Sequence, residues 1–254
     1  MGAWGVTKAA SQGTRTPVRR RIAVINPNTT ASMTASIATA ARAAVDASTE
    51  VVAITNAHGP ASIESHYDEA LAVPGLLAEV AAAQADGVDG FVIACFGDPG
   101  LDAARELASG PVVGIAEAGF HLATMLGRSF SVVTTLARTM GQAEHLVQRY
   151  GFAAQCRSIY ACEVPVLELD DPASDARKLV VDHCRRAVEH DEAGSVVLGC
   201  AGMADFCHDV SEQVGVPVVD GVGAAVALVD AMVRLGLRTS TRSEYAPPLP
   251  KEYR

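Results

Sequence analysis

Two ten-residue stretches place a cysteine in the same setting. Residues 91–100 read FVIACFGDPG and residues 195–204 read SVVLGCAGMA: a short apolar run, a cysteine, then small or turn-forming residues. Each apolar run reads as a strand buried on both faces, so Cys95 and Cys200 are expected at strand carboxyl ends, just before helix starts. Backbone N–H groups and the helix dipole there favour a thiolate, which predicts a pKa below the ordinary value of about 8.5. One thiolate can remove a proton from a carbon acid while a thiol opposite delivers one to the other face. The product is the mirror image, so a facing pair of thiols suits inversion at carbon. A base for that task should titrate near working pH, and the developing enolate needs hydrogen-bond donors. Gly97 and Gly202 leave room for backbone to approach a ligand. Asp98-Pro99-Gly100 reads as a turn with Asp98 capping the helix behind it. A single cysteine after an apolar strand is more often a buried core residue; the matched pair brings the two readings level.

The elements that would hold these residues alternate along the chain. Strands are expected at 21–25, 50–55, 91–95 and 111–115, with helices following Asn26-Pro27-Asn28 to about residue 46, over 68–86 around Pro74, and over 100–108. The second half repeats the order: strands at 130–135, 156–161, 195–200 and 217–221, and helices at 138–150, 174–190, near 203–214 and 221–236. Cys95 and Cys200 are 105 residues apart, Pro111-Val112-Val113 and Pro217-Val218-Val219 are 106 apart, and Asn26 and Thr134 are 108 apart. These similar offsets argue for two similar α/β halves with mainly parallel sheets. Ligands of such sheets bind beyond the strand carboxyl ends. Halves facing each other about a pseudo-two-fold axis would put Cys95 and Cys200 on opposite walls of one cleft, with Asn26, Asn28, Thr134 and Thr135 lining it. The expected division is a first α/β domain of 21–115 plus 217–254, a second of 116–216, and a disordered extension over 1–20.

Composition narrows the function classes. The chain has 254 residues, 49% of them hydrophobic and 19% charged, and a net charge of −9, which gives neither nucleic acid nor an anionic membrane an electrostatic reason to bind. Arg19-Arg20-Arg21 is the only basic cluster and reads as solvated decoration. Residues 1–18 lack the apolar stretch of a secretory signal, Val6 breaks the myristoylation pattern after Gly2, and Asp230 and Arg234 interrupt the most apolar segment. A cytoplasmic location is expected. Six cysteines without an export signal are expected as reduced thiols, and none of their spacings fits a zinc site. Cys156, Cys162, Cys184 and Cys207 lack the strand-end placement and are assigned to packing or surface. His58 and His66 flank the SIES loop, where Glu64 and Asp68 either touch a ligand or brace the loop. Glu117 and Asp220 follow equivalent strands and are candidates to bridge the halves. Gly221-x-Gly223-x-x-Val226 lacks the third glycine of a dinucleotide fingerprint.

The segments INPNTT (25–30), GPASIESHYDEALAVPGLL (59–77), ACFGDPGLDAARE (94–106), PVVGIAEA (111–118), FSVVTT (130–135) and VLGCAGMADF (197–206) resemble hydantoin racemase, of the aspartate/glutamate racemase superfamily. The likeness runs from Arg21 to Lys251 and includes VPVVDGVGAAVALVDAMVRLGLRTS near the end. It implies an aspartate/glutamate racemase-like fold and an isomerase with neither metal nor organic cofactor. It also implies Cys95 and Cys200 as acid/base catalysts, a homo-oligomer, and ligand contacts at Asn26, Asn28, Phe96, Gly97, Thr134, Thr135, Ala201 and Gly202. The implied substrate is a 5-monosubstituted hydantoin, and allantoin is one such compound. Ser65-His66 departs from the pattern and puts the local loop shape in doubt. Alternatives are another isomerisation on the same scaffold, or a two-lobed binding protein without turnover. The segments expected in the cleft carry no cationic side chain, which favours a neutral ring over an acidic substrate.

Overall fold

The computed structural model of the chain describes residues 19–171 and 174–252. Most of the expected extension therefore lies outside the described residues, but its end does not. Strand β1 (Arg20–Asn26) already begins at Arg20, whose guanidinium donates to Asp230 at 2.7 Å and to Thr49 at 3.2 Å. Arg21 is ion-paired with Asp86 at 2.7 Å. The basic cluster is thus part of the fold, because two of its side chains find carboxylates beside the first strand.

Four parallel strands, β1, β2 (Thr49–Thr55), β3 (Gly90–Ile93) and β4 (Val112–Gly114), form one sheet in the order β2-β1-β3-β4. The next four, β5 (Phe130–Thr134), β6 (Cys156–Ala161), β7 (Ser195–Gly199) and β8 (Val218–Asp220), form a second in the order β6-β5-β7-β8. The order repeats with every index advanced by four, as two similar halves require. Ile22 to Ile25 and Phe91 to Ile93 are fully buried, which is why these strands read as unbroken apolar runs.

Helices α1 (Ala31–Ala43), α2 (His66–Ala85) and α3 (Leu101–Leu107) serve the first half. Helices α5 (Met140–Arg149), α6 (Ala176–Asp191) and α7 (Cys207–Val214) serve the second. Pro74 lies inside α2, and a 3₁₀ turn at Ala201–Phe206 precedes α7 where one helix was expected. The remaining helices, α4 (Ile115–Leu126) and α8 (Gly221–Arg234), cross over. Helix α4 leaves the first sheet and packs against β7; α8 leaves the second and packs against β3 and β1; the two pack on each other. Close approach is built in: a Cβ at Gly119 would sit 2.9 Å from Val197 Cγ1, and one at Gly90 would sit 2.4 Å from Val229 Cγ1. One continuous core therefore includes Ile22, Val92, Phe120, Phe130, Val197 and Val226, from both halves.

The crossover corrects the expected boundary at 217. Strand β8 pairs with β7, so 217–220 completes the second sheet, and the chain returns to the first half with α8. Pro217-Val218-Val219 leads into the last strand of its sheet as Pro111-Val112-Val113 does in the first half, and only the helix that follows crosses over.

Candidate functional site

Cys95 and Cys200 sit in matching turns beyond β3 and β7. The Cys95 carbonyl accepts the Asp98 N–H at 3.0 Å, and the Cys200 carbonyl accepts the Met203 N–H at 3.1 Å. Both cysteines line one small cavity, of about 50 Å³, at the carboxyl ends of the two sheets. Asn28, Ala94, Phe96 and Gly97 join Cys95 in its lining, and Thr134, Thr135, Gly199 and Ala201 join Cys200. A Cβ at Gly199 would lie 2.8 Å from Thr134 Cβ, so β7 can approach β5 here only as glycine.

Eight of the ten expected site residues therefore meet at this cavity, and two stand behind it. Asn26 is buried and works through its neighbour: its amide N–H₂ donates to Asn28 Oδ1 at 2.8 Å and to Thr34 Oγ1 at 3.0 Å. Because Asn28 Oδ1 also accepts the Thr30 N–H at 2.9 Å, the Asn28 amide orientation is fixed. Among the described residues its Nδ2 meets the Met33 sulfur alone, at 3.4 Å, a weak acceptor that a ligand carbonyl would outcompete. Gly202 packs behind Cys200, with Leu169 Cδ1 3.0 Å from where a Cβ would be.

The lining also contains Ile63 of the SIES loop, and residues that the motifs did not indicate: Met33, Thr139, Gln142, Ala143 and Val166. Thr139, Gln142 and Ala143 come from the loop and first turn after β5, a place that the strand-end rule could have flagged. Ile63 and Val166 come from loops whose approach depends on the folded halves. Those loops are tied where Glu64 accepts the Val166 N–H at 3.0 Å. Glu64 thus braces the loop, and so does Asp68, which accepts from Ser65 Oγ at 2.7 Å and from the Glu64 N–H at 3.1 Å.

Electrostatics corrects one expectation. Burial pushes the Cys95 thiol up to about 12, against the pull of the Gly97 N–H, and charge on Cys200 pushes it further the same way. Cys95 is therefore held as a neutral thiol, and the pair resists carrying two charges at once. The dipole argument fails here because α3 starts at Leu101, beyond a turn, and desolvation dominates.

Asp98 caps a different helix from the one expected. Its carboxylate accepts the N–H groups of Ala116 and Glu117, at 3.0 and 2.9 Å, so it caps α4 and not α3. It also accepts the Tyr150 hydroxyl at 2.8 Å, which ties the Cys95 turn to the end of α5. Burial raises Asp98 to about 7, with its three donors opposing the shift. A Cβ at residue 114 would fall 2.2 Å from this carboxylate, which explains Gly114.

The other candidates do not reach the cavity. Glu117 pairs with Arg105 at 2.6 Å, and Asp220 caps α8 through the N–H groups of Val222 and Gly223, so neither bridges the halves. His58 and His66 are absent from the lining. Cys162 does follow a strand, contrary to expectation, but it is buried beside Cys184 in a separate core of the second half. The Cys207 thiol donates to the Val218 carbonyl at 2.7 Å. No described helix is long and apolar enough to cross a membrane.

A family model described as Asp/Glu/hydantoin racemase matches residues 22–229. A hydantoin racemase of Pseudomonas sp. (strain NS671) is 46% identical over 92% of this chain and 94% of its own. A solved allantoin racemase from Klebsiella pneumoniae superposes with a TM-score of 0.90 at 50% identity, over 91% of this chain and 95% of that one. A glutamate racemase from Francisella tularensis shares the fold, with a TM-score of 0.62 at 16% identity over 90% of this chain and 86% of its own.

Proposed function

This chain belongs to the Asp/Glu/hydantoin racemase family, and on that premise we propose that it racemises 5-monosubstituted hydantoins by proton transfer between Cys95 and Cys200. The observation that carries the reading is the placement of both thiols, in matching turns of the two halves, in the lining of one small cavity. For one enantiomer Cys200 is the base and the Cys95 thiol the acid. The Cys200 sulfur takes the C5 proton, the electron pair of that bond delocalises into the adjacent ring carbonyl, and the Cys95 thiol returns a proton to the opposite face. The sulfurs have then exchanged roles, which is the starting state for the other enantiomer. The Asn28 amide N–H₂ is placed to hold the enolate oxygen. Thr134, whose hydroxyl bonds Thr139 and the Gly199 carbonyl, fixes the facing wall.

Hydantoin and allantoin racemases are both among the relatives, so the ring is the common element and the C5 substituent is the variable. Among the described residues the cavity lining has no cationic side chain, which supports a neutral ring over an amino-acid carboxylate. The test uses Cys95→Ser and Cys200→Ser with single enantiomers of allantoin and of 5-substituted hydantoins in D₂O. Polarimetry should show loss of racemisation in both variants, while NMR shows residual C5 deuterium exchange without inversion in one. Full racemisation by either variant would end the two-thiol account.

A further inference from the structure

A second space lies behind one wall of the cavity. It is a groove of about 560 Å³ whose lining includes His66, Glu69, Asp102, His145 and Arg149. Only Gly97 and Gln142 belong to the lining of both. Gly97 has no side chain, and a Cβ there would fall 2.5 Å from Gln142 Nε2. The Gln142 amide therefore lies on the Gly97 backbone as the one side chain common to the two spaces. It is held there from the far side, where Nε2 donates to Glu69 Oε2 at 2.5 Å, joining α5 to α2.

We propose that Glu69 is the specificity-determining acceptor for the C5 substituent, and that the Gln142 amide is a placeholder for an N–H donor on the substrate. This rests on the racemase reading. If the sulfurs bracket C5, the ring occupies the small cavity, and the Gly97 wall is one place where the substituent can leave it. Towards Gly97 the obstacle is one rotatable amide. Displacing it takes a charge-assisted donor away from a half-buried carboxylate, a loss that a hydrocarbon substituent cannot restore. A ureido group restores it, because its N–H groups can take the place of Gln142 Nε2, and its carbonyl can accept from the displaced amide. Of the other ionisable groups of the groove, Arg149 pairs with Asp102, His66 lies 3.9 Å from Glu69, and His145 also stands in the lining. The substrate class is thus a hydantoin whose C5 substituent donates hydrogen bonds.

The experiment compares kcat/KM for optically pure allantoin and 5-isobutylhydantoin in the native protein, in Glu69→Gln and in Glu69→Ala. Loss of a charged acceptor should lower the allantoin-to-isobutyl ratio by roughly 10- to 100-fold in both variants, mainly through KM for allantoin. A ratio that stays within twofold while both rates fall together overturns the inference and leaves Glu69 as a brace for Gln142. If the native protein racemises neither compound, the racemase reading falls and takes the inference with it.

Discussion

Cys95 and Cys200 occupy matching turns in unmatched surroundings. The Cys95 turn is anchored by a carboxylate that reaches into α4 and to Tyr150, while Cys200 opens directly into a 3₁₀ turn. For Cys95 the consequence is chemical. Burial raises its pKa to about 12, so the thiolate fraction at neutral pH is small and grows with pH well past the point where an ordinary thiol is fully ionised. Alkylation of Cys95 by iodoacetamide, followed by peptide mass spectrometry, should rise about tenfold per pH unit between pH 8 and 10 without levelling. A plateau by pH 9 would contradict the desolvation argument. The cysteines themselves were legible because their position after an apolar run is a sequence property. The direction of the Cys95 shift was not, since it depends on how completely the folded halves exclude water. Asn26 was misplaced by a single step for a similar reason: sequence locates the strand end, but the hydrogen bonds decide whether a side chain meets the ligand or holds the residue that does.

At the scale of elements, the strand positions and the repeat could be read almost entirely from the Val/Ile runs and their spacing, while the order of the strands within each sheet could not. What escaped was the pairing of caps with helices. Asp98 precedes α3 by three residues and was read as its cap, yet it serves α4, from which it is separated by β4. Gly114→Ala tests that connection, because its methyl would collide with the Asp98 carboxylate. It should destabilise the protein by about 1–3 kcal/mol, and thermal melting should show a drop of several degrees. Gly141→Ala, in α5 with open space around its Cβ, is the matched control and should raise stability by about 0.5–1 kcal/mol. Equal effects of the two would remove the cap from the account of Gly114. The SIES loop carrying Ile63 stood out in the sequence, but its meeting with the loop carrying Val166 did not, because nothing local requires the two to meet.

For the whole molecule the controlling feature is the crossover of α4 and α8. Each helix follows the last strand of one sheet and covers the other, so both sheets depend on residues from the opposite half of the chain. Cutting after Gly127 would leave the first fragment without α8 and the second without α4. Expressed separately, residues 19–127 and 128–252 should aggregate or remain unfolded. Expressed together, they should form a one-to-one complex that elutes as a compact species with native circular dichroism. A cooperative melt from either piece alone would contradict the shared core. The same exchange would arise if two copies of a half-length ancestor handed each other their terminal helices. In such a dimer every mutation would strike both reactive faces together. Joined in one polypeptide, the faces are free to be furnished separately, with an asparagine opposite a threonine and a turn held by a carboxylate opposite one that runs straight into a 3₁₀ turn. Each wall of the cavity can therefore change one residue at a time while its counterpart keeps its own.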